Sequence, residues 1–107
     1  MEIAQYNIIL VNLENTPGAE IQKNRPCVVI SPHEMNRYLR TIVVAPMTTR
    51  SRSYPTRVPV RHAGKAGWIV VDQILTIDRK RIIKILGTLN RFEIDRLKEV
   101  IREAYLE

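Results

Sequence analysis

Residues 26–46 read Pro-Cys-Val-Val-Ile-Ser-Pro-His-Glu-Met-Asn-Arg-Tyr-Leu-Arg-Thr-Ile-Val-Val-Ala-Pro, and this stretch decides the fold class. It holds two β-branched runs, Pro26–Ser31 and Thr41–Ala45. Each is too short for a buried helix and suits a buried strand. The polar connection over 32–40 has room for one short helical turn. Pro46 cannot donate to a ladder, so the second strand is expected to end there.

The pattern continues outward on both sides. Asn7–Leu13 alternates around Ile8-Ile9-Leu10-Val11 and predicts a strand, followed by a long loop over 14–24 that contains Pro17-Gly18. Downstream, residues 47–56 (MTTRSRSYPT) are polar, basic and flanked by prolines, the composition of an exposed, mobile loop. Arg57–Arg61 alternates, with Pro59 marking an edge-type strand. A glycine-bearing turn over 62–67 leads to a strand from Trp68 to Val71, running into Asp72-Gln73-Ile74. A short turn or 3₁₀ segment over 78–81 precedes a last strand, Ile82–Leu89, broken by Gly87. Asn90 as N-cap, with Glu93 at capping-box spacing, opens a helix whose apolar face is Ile94, Leu97, Ile101, Ala104 and Tyr105. Short strands followed by one amphipathic helix predict a mainly β fold, a partly open barrel with a C-terminal α-helix packed on it.

At 107 residues the chain suits one domain, 1–107, and not two. A core of that size is modest, which makes a symmetric dimer a natural supplement. Neither a signal peptide nor a membrane-spanning apolar run is legible, so a cytoplasmic protein without a membrane partner is expected. The one cysteine, Cys27, sits in an apolar run and reads as a small buried hydrophobe.

Charge placement says more than the net value of +6. From Met35 to Val71 there is no Asp or Glu, but there are seven cations: Arg37, Arg40, Arg50, Arg52, Arg57, Arg61 and Lys65. The rest of the chain is almost balanced. A segregated basic segment is the footprint of a polyanion-binding face, although a solubilising basic surface also accounts for it.

The common catalytic sets are missing. There is no Gly-rich phosphate loop, no His/Cys/carboxylate cluster at metal-ligand spacing, and no orienting partner for His33 or His62. No cofactor and no metal are expected. What remains is a phosphate-directed site of arginine and hydroxyls. RNA suits such a site because its 2′-hydroxyl is its own nucleophile, and the protein need only position the phosphate and stabilise charge. Arg25, opening the 26–31 strand, and Thr48, following the 41–45 strand, converge on one phosphate if those strands are neighbours. A guanidinium offers bidentate donors and a hydroxyl one more. An ordinary surface arginine and loop threonine remain alternative readings at this point.

The chain resembles the MazF/PemK family of toxin ribonucleases of type II toxin–antitoxin systems. The residues that carry the resemblance are Gly18-Ala19-Glu20, then Arg25-Pro26-Cys27-Val28-Val29-Ile30-Ser31 and Asn36. Val44-Ala45-Pro46-Met47-Thr48, Tyr54-Pro55-Thr56, and Asp72-Gln73-Ile74-Leu75-Thr76-Ile77-Asp78-Arg79-Lys80-Arg81 follow in order. The resemblance implies an SH3-like, partly open barrel of the CcdB/PemK type, a homodimer, and metal-independent cleavage of single-stranded RNA to a 2′,3′-cyclic phosphate. It carries the catalytic arginine and threonine over to Arg25 and Thr48, and an acidic position near the site over to Glu20. It also implies a cognate antitoxin that occupies the basic groove.

The candidate RNA contacts are Thr49, Arg50, Arg52, Tyr54, Arg57 and Gln73. Tyr54 is a candidate for base stacking, though an exposed tyrosine without a role fits equally. Guanidinium groups stay protonated in proteins, so Arg25 is better suited to stabilise a phosphorane than to act as a base. Two departures stand out: Tyr6-Asn7 replaces the family's Gly-Asp or Gly-Glu pair, and Leu75 replaces its arginine after Asp-Gln-Ile. Two rivals remain: a gyrase-poisoning toxin of CcdB type, which shares the fold without cleaving RNA, and a nucleic-acid-binding module without activity.

Overall fold

The computed structural model describes residues 2–14 and 24–106. The strands are β1 (Asn7–Asn12), β2 (Asn24–Val29), β3 (Thr41–Thr48), β4 (Arg57–His62), β5 (Lys65–Val70), β6 (Leu75–Asp78) and β7 (Ile82–Thr88). A short helix α1 (His33–Tyr38) links β2 to β3, and helix α2 (Arg91–Tyr105) closes the fold. The antiparallel sheet runs β4-β5-β3-β2-β1-β7, with β6 also paired to β3. It curls into a half-barrel, the mainly β architecture with a C-terminal helix that the pattern predicts.

The middle of the curled sheet is buried on both faces. One face gathers Ile9, Val11, Cys27, Val29, Ile42, Val44 and Ile77. The other packs Ile8, Val28, Met47, Val58, Ile69 and Val71 against Leu97 and Val100 of α2. Alternation along β2 explains the division: Cys27 and Val29 point one way and Val28 the other. Two-sided burial is also why the 26–31 and 41–45 runs are continuously apolar.

Strand β3 continues through Pro46 to Thr48, contrary to the expected stop. The N–H of Val43 bonds to Ser31 Oγ on the β2 side, so by alternation the missing N–H of Pro46 points to the opposite edge. There β6 pairing ends at Val44 and β5 pairing begins at Met47, leaving Pro46 in the gap where no ladder bond is lost. The predicted edge strand holds: β4 ends the sheet path, with Pro59 exposed.

Other boundaries move. The turn before β5 shrinks to Ala63-Gly64, both at positive φ (53° and 78°), which matches the twist of a tight hairpin and lets β5 begin at Lys65. After it, Val71–Gln73 forms a 3₁₀ turn, and the separate strand β6 follows. A second 3₁₀ turn, Arg79–Arg81, leads into β7. Gly87 lies inside β7, where the register against β1 shifts between Ile8 and Ile9.

The helix start is as predicted: Asn90 and Glu93 form both bonds of a capping box. Its buried stripe is shifted. Glu93, Leu97 and Val100 are buried, while Ala104 and Tyr105 are exposed. Buried Glu93 is satisfied because its second carboxylate oxygen also accepts from Arg61 N of β4 at 3.0 Å. That ties α2 to the sheet edge. Among the described residues no helix is long and apolar enough to cross a membrane.

Tyr6 has φ 73°, a conformation that costs an ordinary residue about 1–2 kcal/mol. Local bonds hold it: Asn7 Oδ1 accepts from Ala4 N at 2.8 Å, and Asn7 Nδ2 donates to Thr88 Oγ1 at 3.1 Å. The Tyr6 ring packs on the helix-side core.

Candidate functional site

The site is built from strand register. β2 pairs antiparallel with β3, Cys27 opposite Pro46. Extending that register by two residues sets Arg25 opposite Thr48. The row continues on one side to Val11 of β1, the partner of Arg25. On the other side Thr48 lies opposite Trp68 of β5, which lies opposite Pro59 of β4. Directly opposed residues in antiparallel strands share a face, so Thr48, Trp68 and Pro59 line up across neighbouring strands, and the extended β2 register carries the row to Arg25.

Thr48 ends β3, on the stretch where β5 has replaced β6 as the partner on the edge away from β2. Its hydroxyl accepts from Arg50 N at 3.1 Å and donates to the Arg50 carbonyl at 3.2 Å, a local turn that sends the chain off the sheet. A glycine on β5 makes the close approach possible: a Cβ on Gly67 would sit 2.9 Å from the Thr48 carbonyl oxygen. Arg25 is half-buried at the start of β2. Its guanidinium has no hydrogen-bond or ion-pair partner among the described residues. The β1 exit is pinned at the same end of the sheet by Arg81, whose guanidinium donates to the Asn12 and Glu14 carbonyls at 3.1 and 2.8 Å.

The basic loop after Thr48 is more organised than its composition suggests. Arg57 makes a two-point ion pair with Asp72, at 2.8 and 3.2 Å, and donates to Ser51 Oγ at 2.7 Å. It also lies over the Tyr54 ring at 5.2 Å from the centroid. Thr56 Oγ1 donates to Asp72 as well, at 2.9 Å. The hydrogen bond from Arg57 is the largest influence on the Asp72 carboxyl and, helped by the bond from Thr56, holds it below the usual carboxylate range against the opposing effect of burial. In turn the Asp72 bond raises the Arg57 pKa.

The predicted site residues therefore fall into groups. Arg25 and Thr48 come to the same end of adjacent strands, with Thr49 and Arg50 exposed directly after them. Arg52 and Tyr54 are exposed on the loop, and Gln73 is exposed in the 3₁₀ turn beside Asp72. Arg57 differs from a free phosphate ligand: its charge is matched by Asp72 and it braces the loop. Glu20 lies outside the described residues, as does the core of the 14–24 loop. Cys27 is fully buried, and burial pushes its thiol up to about 12 despite the opposing charge of Arg25, which leaves no thiolate at neutral pH. Among the described residues no three His, Cys, Asp or Glu side chains form a metal-ligand set.

Sequence reading missed Asp72 as the loop anchor, Gly67 as the residue that admits Thr48, and Arg81 as the clamp on the β1 exit. Asp72 and Arg81 lie inside the 72–81 segment quoted for the resemblance, where their positions were a signal. Gly67 carried none, because its role depends on a strand distant in sequence.

A curled half-barrel whose rim presents an arginine, a hydroxyl and a basic loop defines a small barrel suited to a phosphate-bearing ligand. Comparison with known proteins makes this specific. Residues 4–105 match the family described as PemK-like, MazF-like toxin of type II toxin-antitoxin system, and the chain belongs to that family. It is 31% identical over 96 residues to the endoribonuclease toxin MazF of Escherichia coli (strain K12), covering 89% of this chain and 86% of that protein. Among solved structures, it is similar to MazF (Form-I) from Deinococcus radiodurans, with TM-score 0.83, 22% identity and coverage of 97% and 96%. It is also similar to an endoribonuclease in complex with its cognate antitoxin from Mycobacterial species, with TM-score 0.81, 18% identity and coverage of 95% and 93%. At those identities the two structures speak for the fold.

Proposed function

We propose that the protein is a sequence-specific endoribonuclease toxin that cleaves single-stranded RNA without a metal ion and is held inactive by a cognate antitoxin. The observation that carries this reading is the register that brings Arg25 and Thr48 to one end of adjacent strands, beside the basic loop, in a chain of the MazF-like family. In the reaction the 2′-oxygen attacks the adjacent phosphorus and loses its proton. The P–O5′ bond breaks, O5′ takes up a proton, and the products are a 2′,3′-cyclic phosphate and a 5′-hydroxyl. The nucleophile belongs to the RNA, so the protein's task is electrostatic and positional. The Arg25 fork holds the non-bridging oxygens as charge builds on them. Thr48 adds a hydroxyl donor, and Glu20 is the candidate acidic group for proton movement.

Thr49, Arg50, Arg52, Tyr54 and Gln73 are the proposed contacts to flanking nucleotides, with Arg57 and Asp72 shaping the loop that presents them. The proposed assembly is a homodimer. The antitoxin is expected to cover the same basic face, where an acidic segment would match the cation-only stretch from Met35 to Val71.

The test is incubation of wild-type protein and Arg25→Ala with transcripts in EDTA, followed by mapping of the new ends. Wild type should leave 2′,3′-cyclic phosphate ends, and Arg25→Ala should lose cleavage while keeping its fold. Near-normal cleavage by Arg25→Ala, or a strict need for a divalent ion, would overturn the reading.

A further inference from the structure

Trp68 is the only tryptophan in the chain, yet it packs against neither hydrophobic core. Large aromatic side chains normally contribute most to a core, because each buries a large apolar area. Here the smaller neighbours Ile69 and Val70 are buried, while Trp68 remains half-exposed on the opposite face of β5 from Ile69. It is the cross-strand partner of Thr48. In such pairs the Cβ atoms lie about 5 Å apart on the same face. On its other side is exposed Pro59, which has no N–H and leaves the strip apolar and open.

We propose that the Trp68 indole is the stacking platform for a base flanking the scissile phosphate, and so a specificity-determining residue of this protein. The inference rests on the ribonuclease reading above. Strand spacing places Thr48 one strand, about 4.8 Å, from Trp68, and Arg25 about 10 Å away. RNA crossing the strand ends from β5 to β2 thus meets an aromatic face, then a hydroxyl, then a guanidinium. A base stacks on the first while its phosphate is held by the other two. Unstacked bases of single-stranded RNA seek such aromatic surfaces, and every base offers a π-face. The platform supplies binding to one side of the cut, leaving edge recognition to the loop residues.

The experiment uses the full chain and a single-stranded oligoribonucleotide spanning a site that wild type cuts, with 2′-deoxyribose at the scissile nucleotide to block cleavage. Because Trp68 is the sole tryptophan, its emission reports directly: binding should quench it in a saturable way. In cleavage assays on the unmodified oligonucleotide, Trp68→Ala should raise KM about 10-fold to 100-fold with kcat changed little. Trp68→Phe should restore most of that loss, whereas Trp68→Leu, which keeps apolar bulk without a ring face, should not. Unaltered emission at saturating RNA, or a Trp68→Leu protein equal to Trp68→Phe, would overturn the inference while leaving the ribonuclease reading intact. If wild type cut no RNA, that reading would fail, and this inference with it.

Discussion

The two ends of β3 are built for opposite purposes. Near the Thr41 end a buried polar network satisfies itself. Buried Ser31 donates to Asn36 Oδ1 at 2.5 Å, Asn36 returns a bond to the Ser31 carbonyl at 2.8 Å, and Val43 N donates to Ser31 Oγ at 3.1 Å. Arg79 caps the network by donating to the Asn36 carbonyl. At the Thr48 end the strand changes partner, the Arg25 guanidinium is unpaired among the described residues, and the only tryptophan is half-exposed. One end is sealed by satisfied hydrogen bonds, and the other keeps donors and an aromatic face available to a ligand. Several residues that carry the family resemblance, among them Ser31, Asn36, Asp72 and Arg81, serve the scaffold. From the same motifs the open end takes Arg25 and Thr48, with Tyr54 and Gln73 exposed beside them.

This contrast can be broken from either side. The largest effect is expected at the open end: Arg25→Ala should lower the cleavage rate by about 10²–10³-fold or more, with a melting temperature close to wild type. Substitution at the sealed end should do the reverse. Asn36→Ala removes the acceptor of the buried Ser31 hydroxyl and the donor to the Ser31 carbonyl, so stability should fall by about 1–3 kcal/mol, read as a drop of several degrees in Tm. The kcat of the folded fraction should be retained; a large loss of kcat there would show that the two ends are coupled.

Gly67→Ala sharpens the comparison because it acts on the open end through backbone alone. The new Cβ meets the Thr48 carbonyl and must displace it, so kcat should fall roughly 10- to 100-fold with little change in fold by circular dichroism. A smaller effect is expected from Asp72→Asn, which loosens Arg57, Thr56 and Ser51. Its pair with Arg57 is partly exposed, at 16% and 35%, so the stability change should stay below about 1 kcal/mol while KM rises. The pH dependence follows in sign. The Asp72 carboxyl titrates below its unfolded value, so its contribution is present above pH ~4 and is lost as pH falls through the folded pKa. A Tm difference between wild type and Asp72→Asn should shrink on acidification below pH ~4; a difference that grew instead would refute the assignment. The smallest effect is expected at Cys27: with its thiol raised to about 12 and fully buried, alkylating reagents at neutral pH should leave the native protein unmodified and its activity unchanged.

Local pattern was enough for most of the fold. The β-branched runs around Cys27 and Val43, the alternation with Pro59, and the Asn90–Glu93 capping box each express a preference settled within a few residues. The errors arose where a distant strand intervened. Pro46 continues its strand because its missing donor falls in a gap between β6 and β5, and β6 exists because β3 offers it an edge. The helix stripe moved because the sheet, rather than the helical repeat, selects which side chains are covered, and Glu93 is buried because Arg61 N waits for it.

The candidate site divides in the same way. Arg25 and Thr48 were legible as residue types at strand ends, and the segregated cations as a face for a polyanion. Their alignment with Trp68, the pairing that takes Arg57 out of the free charge, and the need for glycine at 67 are long-range facts. They depend on which strands become neighbours and in what register, and a linear pattern of short strands leaves that open until the two cores are packed.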